Sequence, residues 1–380
     1  MYYQRTLDLK FLLAKKSHFL FGPRQTGKTA LIHHALKKVQ IFDLLDEDVY
    51  EKLLRRPRQL GEEITSRNRW VVIDEIQRIP SLLNEVHRLI ETRRIHFLLT
   101  GSSARKLRRG GANLLGGRAW NAELFPLTTA EIPDFSLIRY LNTGGLPSVY
   151  LSKNPGEELK NYVRLYLKEE IQAEALVRKL DHFVRFLDTL GLVGGQELNY
   201  QSISNDAGVP QRTVAAYIEV LKDTLMGFEL TPYLKSKKRK AITRSKFFFF
   251  DVGVANALAQ RGEIRDRSEL FGKCFEHFIL QEIRAYLSYR RKESPLQYWR
   301  STSGFEVDCV VGNDLALEIK STTHSNESHI KGLKALREEG LVKQFFLVTQ
   351  DSEERTMEKI RVLPWKKFLK ELWSGRIDIV

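Results

Sequence analysis

A short glycine-containing segment near the amino terminus limits the possible folds of this chain more than any other feature. Residues 22–29 read GPRQTGKT, with an apolar run at 18–21 before them and a helical apolar pattern at 30–36 after them. This spacing between a strand and a helix is typical of a phosphate-binding loop whose backbone N–H groups surround phosphate oxygens. The amino terminus of the following helix adds a favourable field for the anion. The pattern therefore predicts an α/β domain that binds a nucleotide at this loop.

The residue types of the loop indicate separate roles. Lys28 is expected to reach the β- and γ-phosphates of ATP, and Thr29 to offer its hydroxyl to Mg²⁺. The alternative is a chance glycine loop, which the flanking strand and helix patterns disfavour. The predicted nucleotide contacts are Gly22, Pro23, Arg24, Gln25, Thr26, Gly27, Lys28, Thr29 and Ala30.

A second element of the predicted site follows a continuous apolar run at 70–73, as expected for a strand buried on both faces. The run ends in Asp74 and Glu75, which is a Walker B pattern. Asp74 is expected to hold Mg²⁺, directly or through water. Glu75 is expected to orient or activate the attacking water.

Three segments together resemble a widespread group of prokaryotic AAA-type ATPases. They are 22–29, the DEIQ sequence at 74–77, and the TGSS sequence at 100–103, which ends a third apolar strand pattern. In that group the ATPase module is followed by a winged helix and a C-terminal domain of unknown function with a nuclease-like core. The resemblance covers essentially the whole chain, and the segment 144–147 also resembles a Gly-x-Pro element that closes over adenine in related signalling ATPases.

The resemblance implies two further residues at the ATP site. A polar residue at the tip of the third strand senses the γ-phosphate in AAA-type ATPases, and Ser102 or Thr100 fits that role; the alternative is an ordinary strand-to-loop turn. Arg118, in a Leu-Gly-Gly-Arg sequence, fits an arginine finger supplied within one subunit or by a neighbour. A solvated basic loop is the alternative for Arg118.

The middle of the chain has the pattern of a helix-turn-helix. Helical periodicity at 157–190 ends in glycines at 191, 194 and 195, and a short helix at 202–207, capped by Ser202 or Ser204, leads through Gly208 into a second helix at 211–221. The start of that second helix is placed where a recognition helix meets DNA. The residues expected to contact nucleic acid there are Gln211, Arg212 and Thr213.

A basic arm follows, with seven Lys or Arg residues and no Asp or Glu between Leu234 and Phe250. Apolar flanks at Leu230 and 247–250 predict two strands with this arm at their tip, as in a wing that contacts phosphates. The alternative is a wing that packs against protein. The basic residues of the arm are Lys235, Lys237, Lys238, Arg239, Lys240, Arg244 and Lys246.

The last part of the chain carries a carboxylate and lysine pattern. An amphipathic helix at 271–287 contains Glu276 at the edge of its apolar stripe and Glu282 near the middle, with no partner evident. Asp308 is followed after nine residues by Glu318-Ile319-Lys320, on two strands that a turn would bring together. In a strand, Glu318 and Lys320 fall on the same face.

This pattern resembles the PD-(D/E)xK nuclease core. The resemblance implies that Asp308, Glu318 and Glu276 bind Mg²⁺ or Mn²⁺, and that Lys320 positions water or stabilises charge. It also implies a later polar position at Gln344. The alternative is a nuclease-shaped domain that does not cut.

Composition supports these interpretations and limits the location. The net charge of +14 favours polyanions as partners, and no stretch reaches the roughly 18 apolar residues of a membrane helix. Without a signal-peptide pattern, and with two apolar-flanked cysteines, a cytoplasmic protein is expected. The predicted domains are an ATPase at 1–150, a helical and winged-helix domain at 151–262, and a nuclease-like α/β domain at 263–380.

Two functions remain open from the sequence. The first is an ATP-driven protein that acts on DNA with a magnesium-dependent nuclease-like domain. The second is a nucleotide-gated signalling or interaction switch whose nuclease-like domain is silent. A homo-oligomer is open in either case, because related ATPases often form rings.

Overall fold

The computed structural model describes residues 2–65, 69–102, 105, 107, 115–166, 180–266 and 268–380. The chain forms two compact units. The first contains residues 1–127 and 220–226, and the second contains residues 128–219 and 227–380. Across the described ranges, no helix is both long and apolar enough to cross a membrane.

The first unit is built on a five-stranded sheet with the order β2-β3-β4-β1-β5, and every pair in it is parallel. Strand β1, which lies between β4 and β5, is buried along its whole length, as expected for a parallel strand covered on both faces. Strands β1–β5 span Ser17–Phe21, Gln40–Asp43, Trp70–Asp74, His96–Gly101 and Ala119–Glu123. Helices α1–α5 span Leu9–Lys15, Lys28–Ala35, Glu47–Arg55, Gln59–Glu63 and Leu82–Arg93.

The second unit contains an eight-stranded mixed sheet with the order β12-β13-β11-β10-β9-β8-β6-β7. Strands β6–β13 span Gly227–Pro232, Lys246–Phe249, Leu296–Arg300, Glu306–Val311, Leu315–Ile319, Gln344–Thr349, Arg355–Met357 and Ile360–Pro364. Helices α6–α15 span Leu137–Thr143, Pro147–Tyr150, Pro155–Asn161, Leu180–Val193, Tyr200–Ala207, Gln211–Asp223, Val252–Leu258, Glu269–Tyr289, Lys331–Arg337 and Trp365–Trp373. Residues 220–223, at the end of α11, belong to the first unit.

Two helices lie where the sequence predicted a helix-turn-helix, and the first has a different cap. Helices α10 and α11 are joined through Gly208, whose φ of 62° is the left-handed conformation that glycine adopts without cost. The predicted caps Ser202 and Ser204 are wrong, because α10 begins earlier and the Asn199 side chain accepts from the Ser202 backbone N–H. The predicted helix break at Gly191 is also too early, because α9 continues to Val193.

The two strands predicted around the basic arm are also present, as the antiparallel pair β6–β7 with Gly227 opposite Phe249. Strand β6 also pairs with β8 in parallel at residues 231–232. The arm strands therefore share one sheet with the strands predicted for the nuclease-like domain. The predicted boundaries at 150/151 and 262/263 stay predictions.

The buried carboxylate of Glu282 on α13 has partners that the sequence did not reveal. Glu282 accepts hydrogen bonds from the Thr129 backbone N–H at 2.8 Å and the Thr129 hydroxyl at 2.7 Å. The Trp373 indole N–H donates to the same carboxylate at 2.7 Å. Burial raises the pKa of Glu282 to about 7, although these three donors oppose the shift.

The pKa of Glu282 predicts that the second unit loses stability as pH rises. Because the folded-state pKa lies above the ordinary value of 4.5, the stabilisation is complete below pH 4.5 and is lost as pH rises to about 7. The loss is about 3 kcal/mol. Glu282→Gln should remove this pH dependence. The measurement is the unfolding free energy of the parent and of the variant, each at pH 5 and at pH 8. The matched control is Glu293→Gln, at an exposed position. If the unfolding free energies of the parent and Glu282→Gln differ by the same amount at pH 5 and pH 8, the prediction is wrong.

Candidate functional site

The phosphate-binding loop lies between β1 and α2, as the sequence predicted. Gly27 precedes α2 with a φ of 91°, a conformation that few other residues adopt. A Cβ on Gly22 would lie 2.6 Å from the Leu124 carbonyl oxygen, so only glycine fits there. The Lys28 ammonium donates to the carbonyls of Gly22 at 2.7 Å and Pro23 at 3.2 Å. Lys28 is therefore held inside the loop where phosphate oxygens would lie.

Two buried side chains hold the loop in this shape. The Thr26 hydroxyl donates to the Pro23 carbonyl at 2.8 Å. The Arg5 guanidinium donates from Nη1 to the Thr26 carbonyl at 2.7 Å and from Nη2 to the Phe125 carbonyl at 2.6 Å. Arg5 thus ties the loop to the segment after β5. The sequence gives no signal for this role, because Arg5 lies far from the loop along the chain.

The predicted magnesium ligands of the first unit meet each other. The Thr29 hydroxyl donates to Asp74 Oδ2 at 3.0 Å, and the Thr100 hydroxyl donates to Asp74 Oδ1. Asp74 ends β3, and the parallel order β3-β4-β1 brings it beside the loop. A buried carboxylate and a hydroxyl are oxygen ligands of the kind that Mg²⁺ prefers. The residues therefore fit the predicted metal.

Glu75 is placed for a role next to this pair. Its backbone is left-handed, with a φ of 59°, and its N–H donates to the Thr100 hydroxyl at 3.1 Å. The Gln77 side-chain amide donates to the Glu75 carboxylate. A Cβ on Gly101 would lie 2.5 Å from Gln77 Oε1, so glycine at 101 leaves room for that amide. The sequence showed Gln77 only as part of a motif, and its contact with Glu75 depends on the fold.

Thr100 lies on β4, which is the third apolar strand pattern of the sequence. It is fully buried, and its hydroxyl contacts Asp74 and Glu75. Ser102 follows β4 and is half-buried, and its sensing role stays a prediction. Ser103, the last residue of the quoted motif, lies outside the described residues. Arg118 precedes β5, where its guanidinium donates to the Glu91 carboxylate and to the Gly116 carbonyl at 3.4 Å. Its role as an arginine finger stays a prediction.

The remaining loop residues are placed as follows. Gln25 has a φ of 63°, which belongs to the turn of the loop. Arg24 is half-buried, and Ala30 is exposed on the first turn of α2. Their contacts with nucleotide stay predictions.

In the second unit, the hairpin β9–β10 brings Asp308, Glu318 and Lys320 together. The Lys320 ammonium lies 2.6 Å from Glu318 Oε1 and 3.3 Å from Asp308 Oδ2. The Ile319 backbone N–H also donates to Asp308 Oδ2 at 2.8 Å. The carboxylates of Asp308 and Glu318 raise the pKa of Lys320 above its usual value despite its burial. Lys320 is therefore a firmly charged bridge between the two carboxylates.

Glu276 on α13 joins the same electrostatic cluster. Burial, then the charge of Asp308, raises the pKa of Glu276 to about 7, and burial also raises the pKa of Glu318. The Lys246 ammonium lies 3.6 Å from the Glu276 carboxylate and 2.7 Å from the Glu306 carboxylate. Glu276 Oε1, which is the oxygen 3.6 Å from the Lys246 ammonium, and Glu318 Oε2 are buried and accept no hydrogen bond from any described residue. Unsatisfied carboxylate oxygens of this kind suit a cation.

The cluster nevertheless does not have ligand geometry. Within the part of the chain that the structure describes, no three His, Cys, Asp or Glu side chains are arranged to hold a metal ion. Gln344 does not join the cluster either. It pairs with Leu315 at the other end of β10, and its amide donates to the Asp378 carbonyl at 2.7 Å.

The basic arm packs against the end of α14. Glu338 and Glu339 follow that helix, and Glu339 accepts from the backbone N–H groups of Lys237 and Lys238, each at 2.8 Å. Arg239 donates to the Glu338 carboxylate at 2.5 Å. Opposite charge thus explains why this part of the arm folds back onto protein.

Other parts of the predicted nucleic-acid surface remain open. Lys240 and Arg244 are exposed, while Lys235 donates to Asn313 at 3.1 Å. Gln211 and Arg244 line one cavity of about 370 Å³, so the start of α11 and the arm meet there. Arg212 is exposed and Thr213 is half-buried in the first turn of α11.

The class of the first unit is supported by a family comparison. Residues 14–133 match the model of an AAA domain. Together with the parallel sheet and the loop geometry, this match supports an AAA-type, nucleotide-binding ATPase family. Residues 134–265 and 271–368 match two domains of unknown function, DUF8612 and DUF4143.

Several proteins are similar to this chain. An uncharacterized protein of Mycobacterium tuberculosis is 25% identical over 314 residues, covering 80% of this chain and 70% of that protein. An uncharacterized protein of Methanocaldococcus jannaschii is 22% identical over 412 residues, covering 93% and 85%. A solved structure of a signal transduction ATPase with numerous domains and a tetratricopeptide repeat sensor, from Pyrococcus horikoshii, shares 13% identity with a TM-score of 0.20. That similarity covers 73% of this chain and 45% of the other, so this chain spans less than half its length.

Proposed function

We propose that the first unit binds ATP with Mg²⁺ and hydrolyses its γ-phosphate. One observation carries the proposal: Thr29 of the loop contacts Asp74 directly, and Thr100 joins Asp74 to the Glu75 backbone. Two strand ends thereby place a metal-binding oxygen pair and a carboxylate beside the phosphate-binding loop. This is the arrangement that phosphoryl transfer to water needs.

The chain's own residues account for the reaction steps. Lys28 exchanges the carbonyls of Gly22 and Pro23 for oxygens of the β- and γ-phosphates. Mg²⁺, when held by Thr29 and Asp74, supplies positive charge to the same phosphates. Glu75 accepts a proton from water as the water oxygen bonds to the γ-phosphorus. The bond from that phosphorus to the bridging oxygen breaks, which leaves ADP and inorganic phosphate.

Phosphate release by the full chain tests the proposal. With ATP and Mg²⁺ we expect steady release of phosphate, which stops when EDTA removes the metal. Calorimetry under the same conditions should show ATP binding. A chain that neither binds ATP nor releases phosphate would end the proposal.

A second activity is supported by the cluster in the second unit: cleavage of DNA that requires Mg²⁺ or Mn²⁺. Asp308 and Glu318 lie on paired antiparallel strands, and the Lys320 ammonium contacts both carboxylates. The charge of Asp308 also acts on the Glu276 carboxylate. The unsatisfied oxygens of Glu276 and Glu318 favour a cation at this place. In this proposal Asp308, Glu318 and Glu276, which are not arranged as metal ligands in the described structure, would have to close around the metal, and Lys320 would stabilise the charge that develops on the phosphate.

DNA contact in this proposal comes from the first turn of α11 and the exposed part of the basic arm. The cavity shared by Gln211 and Arg244 supports it, because it joins the two predicted surfaces. Arg212 and Lys240 extend the exposed charge.

Asp308→Asn is expected to abolish cleavage of plasmid DNA in Mn²⁺. Removal of one carboxylate charge weakens metal binding, so the rate should fall by at least about 100-fold. Exposed Glu353→Gln is the matched control and should cut like the parent. Equal products from the parent and Asp308→Asn, or no cutting by either, would end the nuclease proposal.

The absence of cutting would favour the other function, a nucleotide-gated switch with a silent domain. The bridge from Lys320 to both carboxylates is the observation that favours this alternative. In that case the ion pairs hold β9 and β10 together without chemistry.

A further inference from the structure

Every strand of the first sheet is preceded by a positively charged side chain. In sheet order, β2, β3, β4, β1 and β5 each follow within two residues of a cation. These cations are Lys38, Arg69, Arg94, Lys16 and Arg118. Because the five strands are parallel, all of these positions lie at the same edge of the sheet. We refer to these five cations and their surroundings as the amino-terminal edge.

This edge is not part of the nucleotide site. The phosphate-binding loop follows the carboxyl end of β1, and Asp74 ends β3. A strand of five residues separates the two ends by about 16 Å. Lys16, Lys38, Arg69 and Arg94 therefore do not serve the triphosphate bound at that loop.

A wide groove opens along part of this edge. It has a volume of about 1310 Å³, and Lys38, Arg69, Arg93 and Arg94 line it together with Trp70. None of its described lining residues is Asp or Glu. Lys38, Arg69 and Arg94 are exposed, and their side chains make no ion pair or hydrogen bond with another residue of the described part. Their charge is available to a ligand.

Two acidic residues that flank the groove-lining segments in sequence have other partners. Glu63 pairs with Lys52 at 2.8 Å, and Glu91 pairs with Arg118, which is itself one of the five cations of the amino-terminal edge. Within the described part of the chain, neither carboxylate forms an ion pair with Lys38, Arg69 or Arg94.

Aromatic rings accompany the cations. Trp70 is half-buried in the groove lining, and Trp120 on β5 is 46% exposed. The Lys16 ammonium lies 5.0 Å from the centre of the Trp120 ring. Trp120 lies beside Lys16 and is not one of the residues that line the groove, so the amino-terminal edge combines a basic groove with one exposed aromatic ring outside it. Cations that follow the phosphates and rings that stack on bases together bind single-stranded nucleic acid.

We propose that the amino-terminal edge binds a single strand of nucleic acid. Four strand spacings separate β2 from β5 in the sheet order, about 19 Å, which accommodates several nucleotides of a single strand. The proposal extends the DNA action proposed above by adding a contact surface on the ATPase unit. It does not require the winged-helix surface or the nuclease-like cluster.

Fluorescence anisotropy of the full chain with a labelled single strand of about 20 nucleotides tests the proposal. Oligo-dT and oligo-U distinguish DNA from RNA, and a duplex of the same length serves as comparison. The affinity for both single strands should fall by at least about 30-fold in the triple variant Lys38→Glu, Arg69→Glu and Arg94→Glu. The slope of log affinity against log salt should fall by about two, because each phosphate contact on a single strand contributes about 0.7. Trp120→Ala should lower the affinity for single strands roughly tenfold and leave the affinity for the duplex unchanged.

Two further variants separate this surface from others. Lys153→Glu, Lys366→Glu and Lys370→Glu combined change the net charge equally at exposed positions of the second unit, and should bind like the parent. Arg212→Glu with Arg244→Glu removes the predicted winged-helix contact. If only that double variant loses binding, the DNA action stands and the amino-terminal edge is wrong. The proposal would also be overturned if the two triple variants bound the single strands equally well. It would likewise be overturned if Trp120→Ala had no effect and the parent bound the duplex as tightly as the single strands.

Discussion

Replacement of Glu75 by glutamine is expected to lower ATP hydrolysis by about 10²- to 10⁴-fold and to leave ATP affinity nearly unchanged. Glutamine keeps the size of the side chain and can still accept the Gln77 amide, but it cannot take a proton from water. The backbone contact from the Glu75 N–H to Thr100 is independent of the side chain. The left-handed turn at 75 should therefore persist, and the loss should fall on turnover.

Phosphate release and ATP binding by calorimetry, measured on the same preparation, separate these two effects. Exposed Glu51→Gln on α3 is the matched control, with the same chemical change in the same unit. Hydrolysis at the parent rate in Glu75→Gln would show that another group activates the water. A parallel loss of binding would show that Glu75 instead shapes the site.

Replacement of Lys28 by alanine is expected to reduce ATP affinity by about 10²- to 10⁴-fold. The ammonium would make two charge-assisted contacts with phosphate oxygens, each worth about 1.5–3 kcal/mol. Its present partners, the carbonyls of Gly22 and Pro23, are loop backbone groups, and the loop is also held by Thr26 and Arg5. The unfolding free energy should consequently change far less than the affinity.

Calorimetric titration with ATP and Mg²⁺ measures this loss, and thermal unfolding without nucleotide checks the fold. Exposed Lys37→Ala, just after α2, is the matched control and should bind like the parent. Lys28→Ala with parental affinity would show that the loop does not hold the triphosphate. A chain that unfolds would point to a structural role for the ammonium.

Much of the nucleotide site could be predicted because its chemistry is local. The loop at 22–29 needs glycine, lysine and hydroxyl at fixed spacing, and a buried strand before Asp74 needs a continuous apolar run. Both signals lie within one strand and its following turn. The structure confirms the strand and helix on either side of the loop and the strand that ends at Asp74.

Sequence alone could not reveal features that distant residues decide. The arm at 235–246 has the composition of a free basic wing, but Glu338 and Glu339, about a hundred residues later, hold part of it against protein. Glu282 has no visible partner in the sequence, because Thr129 and Trp373 come from elements far along the chain. The resemblance to a nuclease core implies a site position at Gln344, while the sheet register places Gln344 opposite Leu315.

The sequence by itself determined the phosphate-binding loop, the strands that support it, and the carboxylate-lysine pattern of the C-terminal hairpin. These features depend on residue type and on contacts across a few residues. Only the tertiary structure decided that Arg5 braces the loop, that Thr100 joins Asp74 to Glu75, and that the cations before five separate strands share one edge. The physical reason is that parallel pairing brings together strand ends separated by long crossovers, and local composition carries no record of which ends will meet.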